Sequence, residues 1–596
     1  NEIDLRPELN EAANAIEMAI SKFNAREPWT IAEELASGMR NLRKAIEKAN
    51  ASSVAAKDHL LFLLGNKERE CNEAMNKALG LSLEALVDLD RPAASPMGFM
   101  QPRETFAVAI PGQEFASTLI LTNPSSLVID LVEFEQEAFR PRYASVDSRD
   151  VRGYSRHVRE YVVALKLRPN VSEKVTVKIS VPLDAEFTRP NWWRGSELKD
   201  HQYKLHEQNP LVLPFPTVIG KVTYKINGIN FTIERLVQTS FVVRPFGEQR
   251  RLLTVAPAIN IQMTPRVGIV ALNAAKSEAT VNVSISSNAK SKADGKVKLR
   301  VPAGWNVTPA EQPFSFAREG EKSNFTFTVA IPKLAAKQDY KIQAVAEYNG
   351  KEYTEGYEVI AHRDLEPRHL YRNAEANIRG IDVSVAPNLH VGYVMGVGDK
   401  VPEALAQIGV NVSLLGANEL ATGNLDQFDV VVIGIRASAV REDLKAYNKR
   451  LLEYVERGGN VIWQYQTPEF DDAAYGPYPY KMGRNPEEVS EEDSKVTILD
   501  PPNPVFNFPN KITPADFDNW VEERGSKWWG EWDARYQPLL ESHDREQPLQ
   551  KGGMMYAEYG KGTWVYAGYA FYRQLPAGVE GAYRLFANLI SLKKRP

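Results

Sequence analysis

Residues able to do chemistry crowd into three stretches near the C-terminus: Tyr475 to Pro486, Asp516 to Gly525 and Phe571 to Arg584. Aromatic rings supply contact area and interleaved charges fix orientation. Tyr478, Lys481, Arg484, Trp520, Glu523, Arg524, Arg573 and Gln574 therefore read as a polar-ligand or protein-docking surface. Forked guanidinium groups suit carboxylates, phosphates or sugar hydroxyls, while Trp528, Trp529 and Trp532 suit stacking on a sugar ring or on another domain. The same composition has a second reading, in which Arg and Glu pair with each other and the tryptophans close a core. Trp192-Trp193-Arg194 raises the same pair of readings. Glu469-Phe-Asp-Asp472 follows the strand-like Val461 to Tyr465 and adds Asp471 and Asp472. Carboxylates at the carboxyl edge of a parallel sheet could exchange protons or hold calcium, or a polar loop could simply cap the next element.

Other chemistries lack their residues. Acyl transfer through cysteine needs a thiolate on a strand-to-helix elbow beside a base, but the single cysteine, Cys71, lies in a helical stretch far upstream. Gly-x-Ser-x-Gly is absent. Gly396-Val-Gly398 follows a strand, yet the third glycine of a dinucleotide fingerprint would fall at Val401, so a tight turn is expected. Eight histidines show no His-x-x-x-His or His-x-His spacing. His201 with His206, His362 with Asp364 and His369, and His543 with Asp544 and Glu546 read as loop clusters, so no metal site or cofactor is expected within the chain.

The elements that must position these groups follow from period and punctuation. At 596 residues, three to five domains are expected. Residues 1–90 read as helices, with Ile31, Leu35, Met39, Leu42 and Ile46 on one stripe behind a Thr30-Ile-Ala-Glu33 capping box, and Cys71 on the buried face of a further helix. From 95 to 250 the period is two, clearest in Val175, Val177, Ile179 and Val181, which predicts an antiparallel β-sandwich. A second sandwich is expected over 251–362, where Val281, Val283 and Ile285 alternate with polar residues. Its Val301-Pro-Ala-Gly-Trp-Asn-Val307 phrase resembles fibronectin-like modules of bacterial carbohydrate enzymes. Arg363 to Pro367 reads as a polar connector, with Arg368 and His369 orienting it against the last domain. Over 363–596 strand and helix alternate, which implies a parallel sheet covered on both faces.

That last outline resembles class I glutamine amidotransferase-like and ThuA-like domains, without the cysteine nucleophile. Over almost the whole length, Arg368-His-Leu-Tyr-Arg372, Gly392-Tyr-Val-Met-Gly-Val-Gly-Asp399, Val401-Pro-Glu-Ala-Leu405 and Asn448-Lys-Arg-Leu-Leu-Glu-Tyr-Val455 resemble large bacterial LmbE-like (PIG-L family) deacetylases, as do the three C-terminal stretches. The family's zinc-binding His-Pro-Asp-Asp motif is absent. The resemblance therefore implies the non-catalytic region of an N-acetyl-sugar or glycoconjugate deacetylase. Zinc, the catalytic domain and its carboxylate base would lie on another segment, which is the expected partner, with a glycan as a second candidate. A competing class is a free-standing carbohydrate-binding or scaffold protein. A third is a hydrolase site around Asp471, Asp472 and Arg484.

Charge narrows the partners further. Lys and Arg total 72 against 76 Asp and Glu, a net charge of −4, so no global basic field exists to hold nucleic acid or anionic lipid. No apolar run approaches the ~18 residues of a membrane span. Asn1-Glu-Ile-Asp-Leu5 lacks an initiating Met and a signal-like region, which reads as a start from which a leader or preceding domain was removed. Export from a bacterial cell is expected from the family.

Overall fold

The computed structural model describes residues 3–53, 56–88, 104–138, 159–193, 203–205, 217–274, 277–336, 338–362, 365–483 and 487–595, with backbone only at 137–138, 159–164 and 472–473. The chain is multidomain and mostly β-sheet behind an N-terminal helical segment. Helices Arg6–Lys22, Ala32–Asn50 and Lys57–Leu79 bury Leu35, Met39, Leu42, Cys71 and Met75 on their shared side. The capping box expected at Thr30 does not form. Pro28 opens a 3-10 turn over Pro28–Ile31, and Thr30 Oγ1 donates to Glu27 O at 2.8 Å instead. Helix ends at Leu79, short of 90, because Gly80 turns left-handed at φ 64°, and Ser82–Val87 then enters a sheet.

That sheet runs Gly247–Leu252, Gln238–Val243, Ser82–Val87, Glu114–Asn123, Val171–Ser180 across. It faces a four-stranded sheet of Arg159–Leu167, Ile129–Ala138, Val218–Ile226 and Ile229–Leu236. The helices cover this sandwich in one continuous core, where Met39, Cys71 and Met75 meet Leu119, Phe134 and Phe231. Tyr224 Oη donates to Asn76 Oδ1 at 2.7 Å, and Asn72 Nδ2 to Thr232 O at 2.7 Å.

In the second sandwich Val281, Val283 and Ile285 face inward with Phe327, Val329 and Ile342. Its larger sheet includes Glu375–Ile381, beyond the 362 limit expected from the sequence. Glu355–His362 and Leu365–Asn373, on either side of the expected connector, pair as antiparallel strands. His369 therefore does not brace the last domain. It stacks on Tyr357 at 4.3 Å, beside Tyr371, whose Oη donates to Val255 O at 3.3 Å between the two sandwiches.

The last domain carries a seven-stranded sheet in the order Asn411–Leu414, His390–Val394, Val430–Ile433, Asn460–Gln464, Gly562–Ala567, Met554–Tyr559, Gln537–Pro538. The first five are mutually parallel and the last two pairings are antiparallel. Alternate residues bury on opposite faces: Val430, Val432 and Ile462 in one core, Val431, Ile433 and Trp463 in the other. Ile269, Ala271 and Ile381 of the second sandwich belong to the first of these cores, so the two bodies share packing. Among the described residues, no helix is long and apolar enough to cross a membrane.

Candidate functional site at the switch point of the parallel sheet

Counted along the chain, the five parallel strands lie in the order 2-1-3-4-5. The chain leaves the first strand toward one side and the third toward the other, so the loops at their carboxyl ends part and open a crevice, where open α/β sheets hold ligands. Here those loops are 395–400 and 434–436. They approach closely. A Cβ on Gly396 would sit 2.0 Å from Ile435 O, so only glycine fits there.

Asp399 lies between the two loops. Tyr393 Oη donates to its carboxylate at 2.8 and 2.9 Å, and the amides of Val401 and Ile435 donate at 3.0 and 3.4 Å. Burial raises its pKa, and the hydrogen bonds that favour the charged form offset this only in part. Tyr393 is held in turn by Gln464 Nε2 at 2.7 Å. Gln466 is fully buried and spans the next loop: its Nε2 donates to Gly434 O and Gln464 O at 2.9 Å, and its Oε1 accepts from Ser438 N at 3.0 Å.

At the elbow between strand Val430–Ile433 and helix Ala437–Val440 stands Arg436, with φ 51° and ψ 25°. This left-handed conformation is costly for a residue with a Cβ, and it is the type of turn that presents a nucleophile in hydrolases. Here it projects an exposed guanidinium instead. Arg436 N donates to Tyr465 O at 2.9 Å, and the Tyr465 ring stacks on Tyr572 at 5.8 Å. Tyr572 Oη and Arg573 Nε both donate to Glu523 Oε1, at 2.9 and 2.7 Å. Arg573 also pairs with Glu522. The rim thus offers half-buried rings, one exposed guanidinium and a tied Arg–Glu pair, a set that can hydrogen-bond and stack but holds no evident nucleophile–base pair.

Most of the aromatic and charged residues singled out from the sequence lie inside. Trp520, Trp528 and Trp529 are buried: Trp529 stacks on Tyr480 at 4.2 Å, Trp528 packs on Tyr569 at 5.0 Å and Trp520 on Phe571 at 5.8 Å. Arg524 is buried and donates to Ser494 O and Phe517 O. Gln574 is fully buried, accepting from Val521 N at 2.8 Å and donating to Val521 O at 2.9 Å. For these five the core-closing reading describes their contacts. Trp532 is half-buried in the strand beside Tyr480, and Lys481 is exposed. Tyr478 lies apart from the crevice, with its Oη on Glu558 O at 2.9 Å and Arg535 over its ring at 3.8 Å. Asp471 accepts from Met482 N at 3.1 Å, which ties a loop. The side chain of Asp472, together with Arg484, Arg194, His201, His206 and Asp364, lies outside the described residues.

Asp399, Arg436, Tyr465 and Tyr572 were not singled out from the sequence. The available signals were an Asp closing Gly396-Val-Gly-Asp399 right after a buried strand, and Arg in Gly434-Ile-Arg-Ala-Ser438 between strand and helix. Among the described residues no group of three or more His, Cys, Asp and Glu could hold a metal ion. Asp544, next to His543, is engaged by Ser490 and Glu491 amides at 2.9 Å.

Residues 274–349, within the second sandwich, match the family model described as the NPCBM-associated, NEW3 domain of alpha-galactosidase. No curated protein matches the chain. Among solved structures, a cold-adapted β-galactosidase from Rahnella sp. R3 is similar at 13% identity and a TM-score of 0.21, covering 35% of this chain and 31% of that one. An exo-β-1,4-mannosidase from Opitutaceae bacterium strain TAV5 is similar at 12% identity and 0.22, covering 34% and 36%. The chain thus spans about a third of the length of each of those structures.

Proposed function

We propose that this chain is the accessory, substrate-positioning region of a carbohydrate-processing enzyme. The observation that carries the reading is the match of residues 274–349 to a module named for an α-galactosidase. The same sandwich shares a core with the α/β domain through Ile269, Ala271 and Ile381, which supports a role in setting domain geometry. The switch-point crevice, with Asp399, Arg436, Tyr465 and Tyr572, is the proposed sugar-contacting surface. Its hydrogen-bonding groups and rings match the two faces of a sugar.

The finer reading is an N-acetyl-sugar or glycoconjugate deacetylase, exported from a bacterial cell, whose zinc domain is carried by a partner segment or chain. It is supported by the family-like phrases alone, and the glycosidase-type match neither requires nor names a deacetylase. Titration of the full chain with a panel of neutral and acidic oligosaccharides, together with an acetate-release assay on chitotetraose with and without zinc, tests both levels. Binding without acetate release is expected. Zinc-dependent release by this chain alone would overturn the accessory role, and no binding across the panel would overturn the carbohydrate reading.

A further inference from the structure

At the antiparallel end of the C-terminal sheet, away from the switch point, an open groove of about 730 Å3 runs beside strands Gln537–Pro538 and Met554–Tyr559. Its size falls within the ~300–1,000 Å3 of ligand clefts. The walls carry Asp500, Arg535, Gln537, Tyr556, Glu558 and Arg595, so two carboxylates and two guanidinium groups line the groove.

Each polar group is held from behind. Gln537 Nε2 donates to Asp500 Oδ2 at 2.6 Å, while Gln537 Oε1 and Asp500 Oδ1 have no partner among the described residues. Arg595 Nη1 donates to Tyr556 Oη at 3.2 Å, and Tyr556 Oη to Glu558 Oε1 at 3.4 Å. Arg535 is pinned by both oxygens of Asp533, at 2.8 and 2.9 Å, and its guanidinium carbon lies 3.8 Å from the centre of the Tyr478 ring. Side chains fixed by one bond retain further donors and acceptors at a low ordering cost to a ligand.

With the Asp533 carboxylate neutralising Arg535, the lining is slightly acidic and disfavours anions, and its polar walls offer little to a purely apolar ligand. It suits a neutral molecule with many groups that both donate and accept. We infer that this groove binds a neutral oligosaccharide at a site separate from the switch-point crevice. The inference extends the carbohydrate reading of the chain but takes its ligand class from the groove itself.

Calorimetric titration of the full chain with cellotetraose, maltotetraose and chitotetraose, with tetragalacturonate as the anionic control, tests it. At least one neutral tetrasaccharide is expected to bind, and Gln537→Ala and Glu558→Gln each to weaken it about tenfold, the equivalent of one or two lost hydrogen bonds. Lys449→Ala, on the exposed side of helix Glu442–Glu456 and outside both sites, should leave that affinity unchanged. Melting curves establish that the groove variants are folded; both positions are near the surface. Neutral binding unaffected by the groove variants would overturn the groove while leaving the carbohydrate reading intact. Preference for tetragalacturonate, or no neutral binding, would overturn it as well.

Discussion

Arg524→Ala separates a ligand surface from a core more sharply than any other change in the C-terminal domain. Arg524 is only 4% exposed, its Nε and Nη2 donating to Ser494 O at 2.9 and 2.6 Å and its Nη1 to Phe517 O at 2.5 Å. Burial lowers its pKa, with Tyr569, Asp493, Asp518 and Glu492 acting in the opposite direction. Truncation leaves the Ser494 and Phe517 carbonyls without these donors inside the fold. At about 1–3 kcal/mol for each orphaned buried group, the expected loss is about 4 kcal/mol. At ~2–4 °C per kcal/mol for a domain of some 200 residues, the transition of this domain should fall by roughly 8–16 °C. Scanning calorimetry of the full chain, which resolves domain transitions, measures it. In the folded fraction, saccharide affinity should match that of the parent chain. A shift below about 2 °C, or lost binding with an unchanged transition, would refute the reasoning and return Arg524 to a ligand surface.

Arg436→Gly removes an exposed side chain from a left-handed backbone. Relief of about 1–2 kcal/mol of strain, less ~0.5–1 kcal/mol for glycine's unfolded freedom, predicts a gain of up to about 1.5 kcal/mol in denaturant titration; a loss would show the guanidinium to be structural. His369 is pulled down to about 4 by burial first and by Arg251 second. The unfolded imidazole binds its proton near ~6.5, so stability at the sandwich junction is full above that pH, falls as pH drops through it and levels below the folded value, about 3 kcal/mol in all. His369→Phe should flatten this dependence, and an unchanged pH–stability curve would contradict the assignment. Cys71 is buried, its thiol pushed up to about 11 by desolvation with its Sγ on Leu35 O at 3.4 Å. It should resist Ellman's reagent in the native chain at pH 8 and react on unfolding; rapid native labelling would show that the helical layer opens readily.

Sequence alone was enough for the elements whose signal is periodic. The alternation at Val175–Val181 and Val281–Ile285 yields half-buried strands, because period two can bury only one face. The stripe Leu35, Met39, Leu42 yields a covered helix, and continuous apolar runs such as Val430–Ile433 yield strands buried on both sides. Tertiary structure decided the rest. Rings interleaved with charges have one composition whether they face solvent or each other, and only packing sends Trp528, Trp529, Arg524 and Gln574 inward. Strand order is invisible along the chain, so the switch point that brings Asp399 beside the Arg436 elbow emerges only when strands far apart in sequence pair. The groove likewise joins Asp500, Gln537, Glu558 and Arg595 across nearly a hundred residues. Local pattern specifies which surfaces must be buried; which residues meet there is set by long-range contacts that no local pattern encodes.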